Sequence, residues 1–385
     1  MNLQQTGPAP GGPPEREAAL GLYLHVPFCL ARCPYCDFYS TTRLDRRGAY
    51  TEAMARAMAL APGAGRTLDT LYLGGGTPSL LGEGVLSLLE AVRRHWRLTE
   101  GAEITLEANP GTVTPELLRL WRQAGVNRLS MGIQAGSGPE LKTLGRIHTL
   151  EEGLAAVEEA RRAGFENVSV DMMLATPGQT AETARELADL LAGLPVTHIS
   201  AYLLKIEEGT PFARQGMADR CPDPDQAAEI YLAASRRLEE RGFVHYEISN
   251  FARPGYESRH NTLYWTLDDY LGIGPSAYSF YGGRRFHFPS DLDGFLSAED
   301  PWSLARDDGP GGDWTERLML ALRLRTGLDL SLAPRYGQDP ERLRAKARPM
   351  AAAGLLTLDG GRIALTDQGF LLSNSIITAL LPPEG

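Results

Sequence analysis

The sequence predicts an α/β protein: an incomplete six-stranded (β/α) TIM-like barrel, followed by a C-terminal winged-helix-like module. Two observations carry the barrel. Six short strand-like runs alternate with helical stretches between residues 21 and 205, the pattern of a parallel sheet with crossover helices. The repetition is regular and the links are short, which favours barrel winding with functional groups at the C-terminal strand ends, although spacing alone also admits an open doubly wound sheet. A third observation carries the module: beyond residue 313 the order changes to helix, helix, hairpin, helix.

In order, the strands are LYLHV (22–26), TLYL (70–73), EITLE (103–107), RLSMGI (128–133), VSVDMM (168–173) and HISAYLL (198–204). Between them, Pro115–Ala124 reads as a helix with Thr114 as N-cap and Pro115 at the first helical position. Leu150–Ala163 reads as another, closed by Gly164. Asp223–Gly242 is a further helix, whereas residues 243–290 are rich in Gly, Tyr, Phe and His without clear periodicity. After the expected loop DDGPGGD (307–313), Trp314–Arg325 and Pro340–Ala353 read as helices, and 355–366 as a hairpin turning at Asp359–Gly361, with a helix from Asp367. The expected divisions are a flexible leader (1–20), the barrel with its extension (21–290) and the winged-helix-like module (313–385).

The net charge of −10 gives the whole surface no attraction for nucleic acid. The module carries nine basic and eight acidic side chains, so packing is its expected role rather than DNA reading. The Pro/Gly-rich start lacks the basic and apolar regions of a signal peptide. No apolar run reaches the length of a transmembrane helix, so a cytoplasmic location is expected.

Three of the four cysteines, Cys29, Cys33 and Cys36, lie within eight residues directly after the first strand. Such clustering in a cytosolic chain indicates a metal site rather than disulfides. Three thiolates on a [4Fe–4S] cluster leave one iron open to a further ligand. Structural zinc calls for a second pair of ligands, which the sequence lacks; His25, as an alternative fourth ligand, lies within the first strand. The GGGTP run at 74–78 ends the second strand beside this site, where glycines suit either a tight turn or close approach to a ligand.

The CxxxCxxC spacing, with Tyr35 between the last two cysteines, resembles the radical-SAM signature. The resemblance implies a radical-SAM type of barrel, in which S-adenosylmethionine (SAM) chelates the open iron and is cleaved reductively to methionine and a 5′-deoxyadenosyl radical. The runs LYLHVPFC, LYLGGGTPS, LEANPGT, RLSMGIQ, SVDMMLATPGQT and YEISNFARPG are similar to the oxygen-independent coproporphyrinogen III oxidase group, and within it to the haem-chaperone branch. Carried over by position, the resemblance places Tyr23, Tyr35, Gly75, Gly76 and Thr77 around SAM and Glu107 on its ribose. Gln134, Arg146 and Asp171 match further cofactor positions, with a structural Arg146–Asp171 ion pair as the alternative.

Two features separate the chaperone from the oxidase within this resemblance. Phe38 stands where the oxidase has a fourth, non-ligating cysteine, and HNTLYW (260–265) matches the chaperone element HNxxYW. His260 is then a candidate axial ligand for haem, with a packed or surface histidine as the alternative, and the segment is expected to fold over the barrel mouth. Cys221, before Pro222, is a weaker thiolate candidate and reads better as a spectator. The implied partners are haem, haem-accepting respiratory proteins at the membrane surface, and an electron donor. SAM cleavage is expected, but not coproporphyrinogen turnover; the oxidase and an unrelated radical-SAM oxidoreductase remain the other readings, because one scaffold hosts many reactions.

Overall fold

A computed structural model describes residues 20–381, so residues 1–19 of the expected leader lie outside it. Its centre is six parallel strands in sequence order: β1 (Gly21–Val26), β2 (Thr67–Gly75), β3 (Arg97–Ala108), β4 (Arg128–Gln134), β5 (Asn167–Leu174) and β6 (His198–Leu203). Beyond β6, the hairpin of β7 (Val244–Glu247) and β8 (Asn250–Ala252) adds two antiparallel strands, with β8 against β6. Beyond β1 the sheet continues through β9 (Tyr270–Ile273), parallel to β1, and then antiparallel through β10 (Tyr278–Tyr281), β11 (Arg284–His287) and β12 (Arg306–Pro310). β1 and β6 therefore never meet, and the barrel is incomplete as expected.

All six expected strands are present, and the helices obey their local signals. Thr114 accepts a hydrogen bond from the Leu117 N–H and opens Pro115–Gln123, a cap worth about 1 kcal/mol. Thr149 and Glu152 form a reciprocal capping box at the start of Leu150–Arg162. The buried faces, such as Leu118 and Trp121, join the core on the outer side of the sheet.

The inner side is polar, unlike the aliphatic layers that fill complete barrels. At its lower end the helix Arg259–Thr266 plugs the half-barrel. Glu103 accepts the backbone N–H groups of Arg259 and His260 at 3.0 Å each, satisfying donors that a helix start leaves open. This corrects the placement of the HNTLYW segment: it closes the N-terminal end of the strands, opposite the cluster loop. Residues 243–290 are also more ordered than their lack of periodicity implies. They hold five strands of three or four residues each, too short for an alternating pattern to register. Likewise, Asp307–Pro310 of the expected loop belong to the edge strand β12.

The C-terminal residues have a separate hydrophobic core, centred on Leu318, Ala347 and Ile363. Helices Trp314–Ala321 and Pro340–Ala352 precede a hairpin whose turn uses the left-handed conformation at both Gly360 and Gly361. A three-stranded sheet and two short helices from Asp367 complete this winged-helix-like arrangement. Two backbone hydrogen bonds, Ile248 N–H to Arg323 O and Arg325 N–H to Tyr246 O, both 2.9 Å, tie it to the β7–β8 hairpin.

Candidate cluster and cofactor site

The loop after β1 carries Cys29, Cys33 and Cys36, all half-buried and unpaired. Its base is held by the Cys29 N–H to Thr41 O bond at 2.9 Å and its turn by Cys36 N–H to Cys33 O at 3.1 Å. The three thiols line one cavity of about 510 Å³ at the C-terminal ends of the strands. Tyr35, Gly75, Gly76, Thr77, Glu107, Gln134, Arg146 and Asp171 line the same cavity. Positions chosen across 143 residues of sequence (171 − 29 = 142 steps) thus converge on one cavity.

The glycines act as a cradle. A Cβ on Gly76 would lie 2.7 Å from Phe28 O and 3.0 Å from Cys29 Sγ. Gly75, at φ 114°, would put one 2.7 Å from the His25 ring. Side chains there would displace the cluster loop, so this strand end is built for backbone to face the cavity.

Hydrogen-bond donors address two of the sulfurs. Thr77 Oγ1 donates to Cys29 Sγ at 3.7 Å, and Arg146 Nη1 to Cys33 Sγ at 3.6 Å. Asn109 joins the two: its Nδ2 donates to Thr77 Oγ1 at 2.8 Å, and its Oδ1 accepts from Arg146 Nη2. Arg146 also donates to Gly132 O at 2.9 Å. Burial pushes the Cys29 and Cys36 thiols up in pKa, and the Thr77 contact opposes this at Cys29. Donors aimed at sulfur stabilise thiolates, and three neighbouring thiols with the remaining iron position facing a cavity fit a [4Fe–4S] cluster with one open site.

On the opposite wall, Glu107 accepts from the Tyr72 hydroxyl at 2.7 Å and from the Gly75 N–H at 3.0 Å. Burial lifts its pKa to about 7, against the pull of the Tyr72 bond. Asp171 is also pushed up by burial, with Ser200 and Ser130 hydrogen bonds opposing. No Arg146–Asp171 ion pair occurs among the described residues; Arg146 is spent on Asn109, Gly132 and Cys33. Gln134 ends β4 at φ 73°, and its Oε1 is buried without a partner. A strained backbone and an unmet acceptor at a cavity wall are marks of a ligand contact.

Two expected site residues stand apart. Tyr23 lies one layer below the cavity, its hydroxyl 3.1 Å from His25 Nδ1 and its ring beneath Gly74, so it supports the glycine run from below. His260 is fully buried at the lower end of the half-barrel. Its Nδ1 is 2.7 Å from Thr70 Oγ1, its Nε2 is 2.8 Å from the Tyr264 hydroxyl, and its ring stacks on Tyr72. Neither nitrogen is open to a metal, and burial lowers its pKa to about 3. The expectation of His260 as an axial haem ligand is corrected in favour of its alternative: it is a packed histidine. Asn109 was missed in the sequence, although its place two residues beyond Glu107, at the end of a strand, is where cavity-facing groups gather.

The Radical SAM superfamily model matches residues 23–191, and the HemN C-terminal domain model matches 313–372. The chain is 38% identical to Heme chaperone HemW of Mycobacterium tuberculosis over 99% of its own length and 98% of the relative's. It is 34% identical to Heme chaperone HemW of Escherichia coli over 94% and 98%. The solved structure of coproporphyrinogen III oxidase (HemN) from Escherichia coli matches with a TM-score of 0.81 at 23% identity, over 94% of this chain and 90% of that one, a likeness of fold. With near full-length identity above 30% and the three-cysteine loop in place, the chain belongs to the HemW heme chaperone family of the radical SAM superfamily.

Proposed function

We propose that this chain binds haem and delivers it to haem-dependent respiratory proteins at the membrane surface, working in the cytoplasm with a [4Fe–4S] cluster and SAM. The radical SAM superfamily implies the cluster and SAM. The observation that carries the haem reading is the full-length 38% identity to a named heme chaperone. Among the described residues no helix is long and apolar enough to cross a membrane.

Cys29, Cys33 and Cys36 would hold the cluster. When bound, it supplies the electron that breaks the sulfonium C–S bond of SAM. The bare backbone of Gly75 and Gly76 admits the methionine end of the cofactor. Glu107 offers carboxylate oxygens to the ribose hydroxyls, and Tyr72 fixes the rotamer of that carboxylate. The Thr77–Asn109–Arg146 chain places N–H and O–H donors on sulfur, and Gln134 and Asp171 present polar groups across the cavity.

The oxidase reading has the HemN fold behind it, but a fold hosts many reactions. Phe38, 69% exposed at the cavity mouth, gives that chemistry no thiol. The test is to incubate anaerobically reconstituted protein separately with haem and with coproporphyrinogen III. Stoichiometric haem binding without protoporphyrinogen formation is expected; sustained conversion over many turnovers overturns the proposal in favour of the oxidase.

A further inference from the structure

We infer that His287 is an axial ligand for the haem iron, on the inner face of the sheet extension beyond β1; this rests on the haem-chaperone reading. Among the seven histidines, His25, His198, His245 and His260 have both ring nitrogens in hydrogen bonds. His148 is 5% exposed and bonded to Ile133 O. His95 packs on Trp96 at the end of an outer helix, with no carboxylate partner among the described residues.

His287 differs in each respect. Its Nδ1 is 2.9 and 2.8 Å from the two carboxylate oxygens of Asp308. That bond fixes the tautomer with the proton on Nδ1 and leaves the Nε2 lone pair free. Nε2 has no partner among the described residues, and the side chain is 22% exposed. Imidazoles that bind metal are commonly oriented in this way, by a carboxylate on the other nitrogen, which also raises their basicity.

The surroundings suit an anionic, apolar macrocycle. Tyr278, 57% exposed, stacks on the His287 ring with centroids 4.9 Å apart and planes 22° off parallel. An exposed ring of this size beside the nitrogen offers apolar cover to one side of a porphyrin. Arg306 faces His287 directly across the β11–β12 ladder, is exposed, and forms no ion pair among the described residues. Directly opposed residues share a face of the sheet, so its guanidinium is placed to receive a propionate.

Strand register ties this group to the cluster side. Tyr278 pairs with His287, and Phe280 with Tyr270, which brings Tyr278 opposite Gly272; Gly272 in turn pairs with Tyr23. Tyr23 points into the half-barrel beneath Gly74, so Tyr278 and His287 look out from that same concave face. β10 begins and β11 ends level with Tyr23 in the middle of β1, one layer below the end that carries the cysteine loop. Because the barrel is open beyond β1, this face is not covered by a closing strand.

The test is haem titration of reconstituted protein, followed by the Soret band, with iron–sulfur absorption and SAM binding read on the same samples. His287→Ala should weaken haem on the order of 100-fold and move the Soret maximum, with cluster and SAM binding unchanged. Added imidazole should restore the band. Asp308→Asn should keep haem with about tenfold weaker affinity and an altered iron–histidine Raman stretch, an effect that simple loss of packing does not produce. Wild-type-like affinity and spectrum in His287→Ala overturn the assignment and leave the chaperone reading standing. Failure of the wild-type protein itself to bind haem overturns that reading, and this inference with it.

Discussion

Asn109 and Arg146 share a hydrogen bond, and through it Cys29 and Cys33 belong to one chain of donors and acceptors: Cys29, Thr77, Asn109, Arg146, Cys33. The amide is the only member that both donates and accepts along this chain through separate atoms, so it fixes the direction of every bond in it.

Asn109→Ala is therefore expected to retain iron but to alter the cluster. SAM cleavage should fall about 10- to 100-fold, the range seen when an outer partner of a metal ligand is lost. Electron paramagnetic resonance of the reduced cluster, with and without SAM, reads the effect. A spectrum and rate matching the native protein would reduce Asn109 to a turn residue.

Replacing Cys29, Cys33 or Cys36 singly by Ala should abolish the iron–sulfur absorption and SAM cleavage, since each thiolate holds its own iron. Cys221→Ala serves as the control and should leave iron content unchanged. Native-rate SAM cleavage by Cys33→Ala would falsify the cluster assignment.

Glu107 makes a pH-dependent contribution whose sign runs against that of most carboxylates. Its pKa rises from 4.5 to about 7 on folding, so the folded chain holds the proton more tightly than the unfolded one. Its contribution to stability is consequently full below pH 4.5 and is lost as pH rises toward 7. SAM affinity should move oppositely across this window, because the ionised carboxylate is the better acceptor for ribose hydroxyls. Urea midpoints and SAM calorimetry at several pH values, compared between the native protein and Glu107→Gln, isolate this group. Equal pH slopes in the two proteins would show that the carboxylate does not titrate there.

His260→Ala should act on stability. It removes a fully buried ring and leaves Thr70 and Tyr264 without their partner, at a cost of about 3 kcal/mol. A lowered thermal midpoint is expected, with haem affinity retained by the folded fraction. Native stability combined with lost haem binding would return His260 to the ligand list.

Much of this was legible in the sequence because its signals are local. Thr114 followed by Pro115, and Thr149 followed by Glu152, cap helices through atoms three residues apart. The strands β1 to β6 announce themselves by apolar runs buried on the outer side. The cysteine loop and GGGTP run follow strand ends, so the barrel rule placed them together. What stayed hidden depends on distant pairing. β9 finds β1 across most of the chain, and nothing within its four residues says so. His260 reads as a ligand in the sequence, and its packing shows only once Glu103, Thr70 and Tyr264 surround it. His287 shows its character only once β12 brings Asp308 alongside.

The strand that presents the cysteines has one neighbour nearby and another far away. Gly21 pairs with Thr70 on one side and with Tyr270 on the other, and 270 − 21 = 249 positions separate Gly21 from Tyr270. On the ribosome, at about 5–20 residues per second, that interval lasts roughly 12–50 s. Throughout it, the three thiols sit on the loop of a strand with an edge still unpaired. Iron and sulfide delivered then would meet a loop whose strand is fixed on one side at most, so cluster insertion is expected to follow the pairing of β9 with β1.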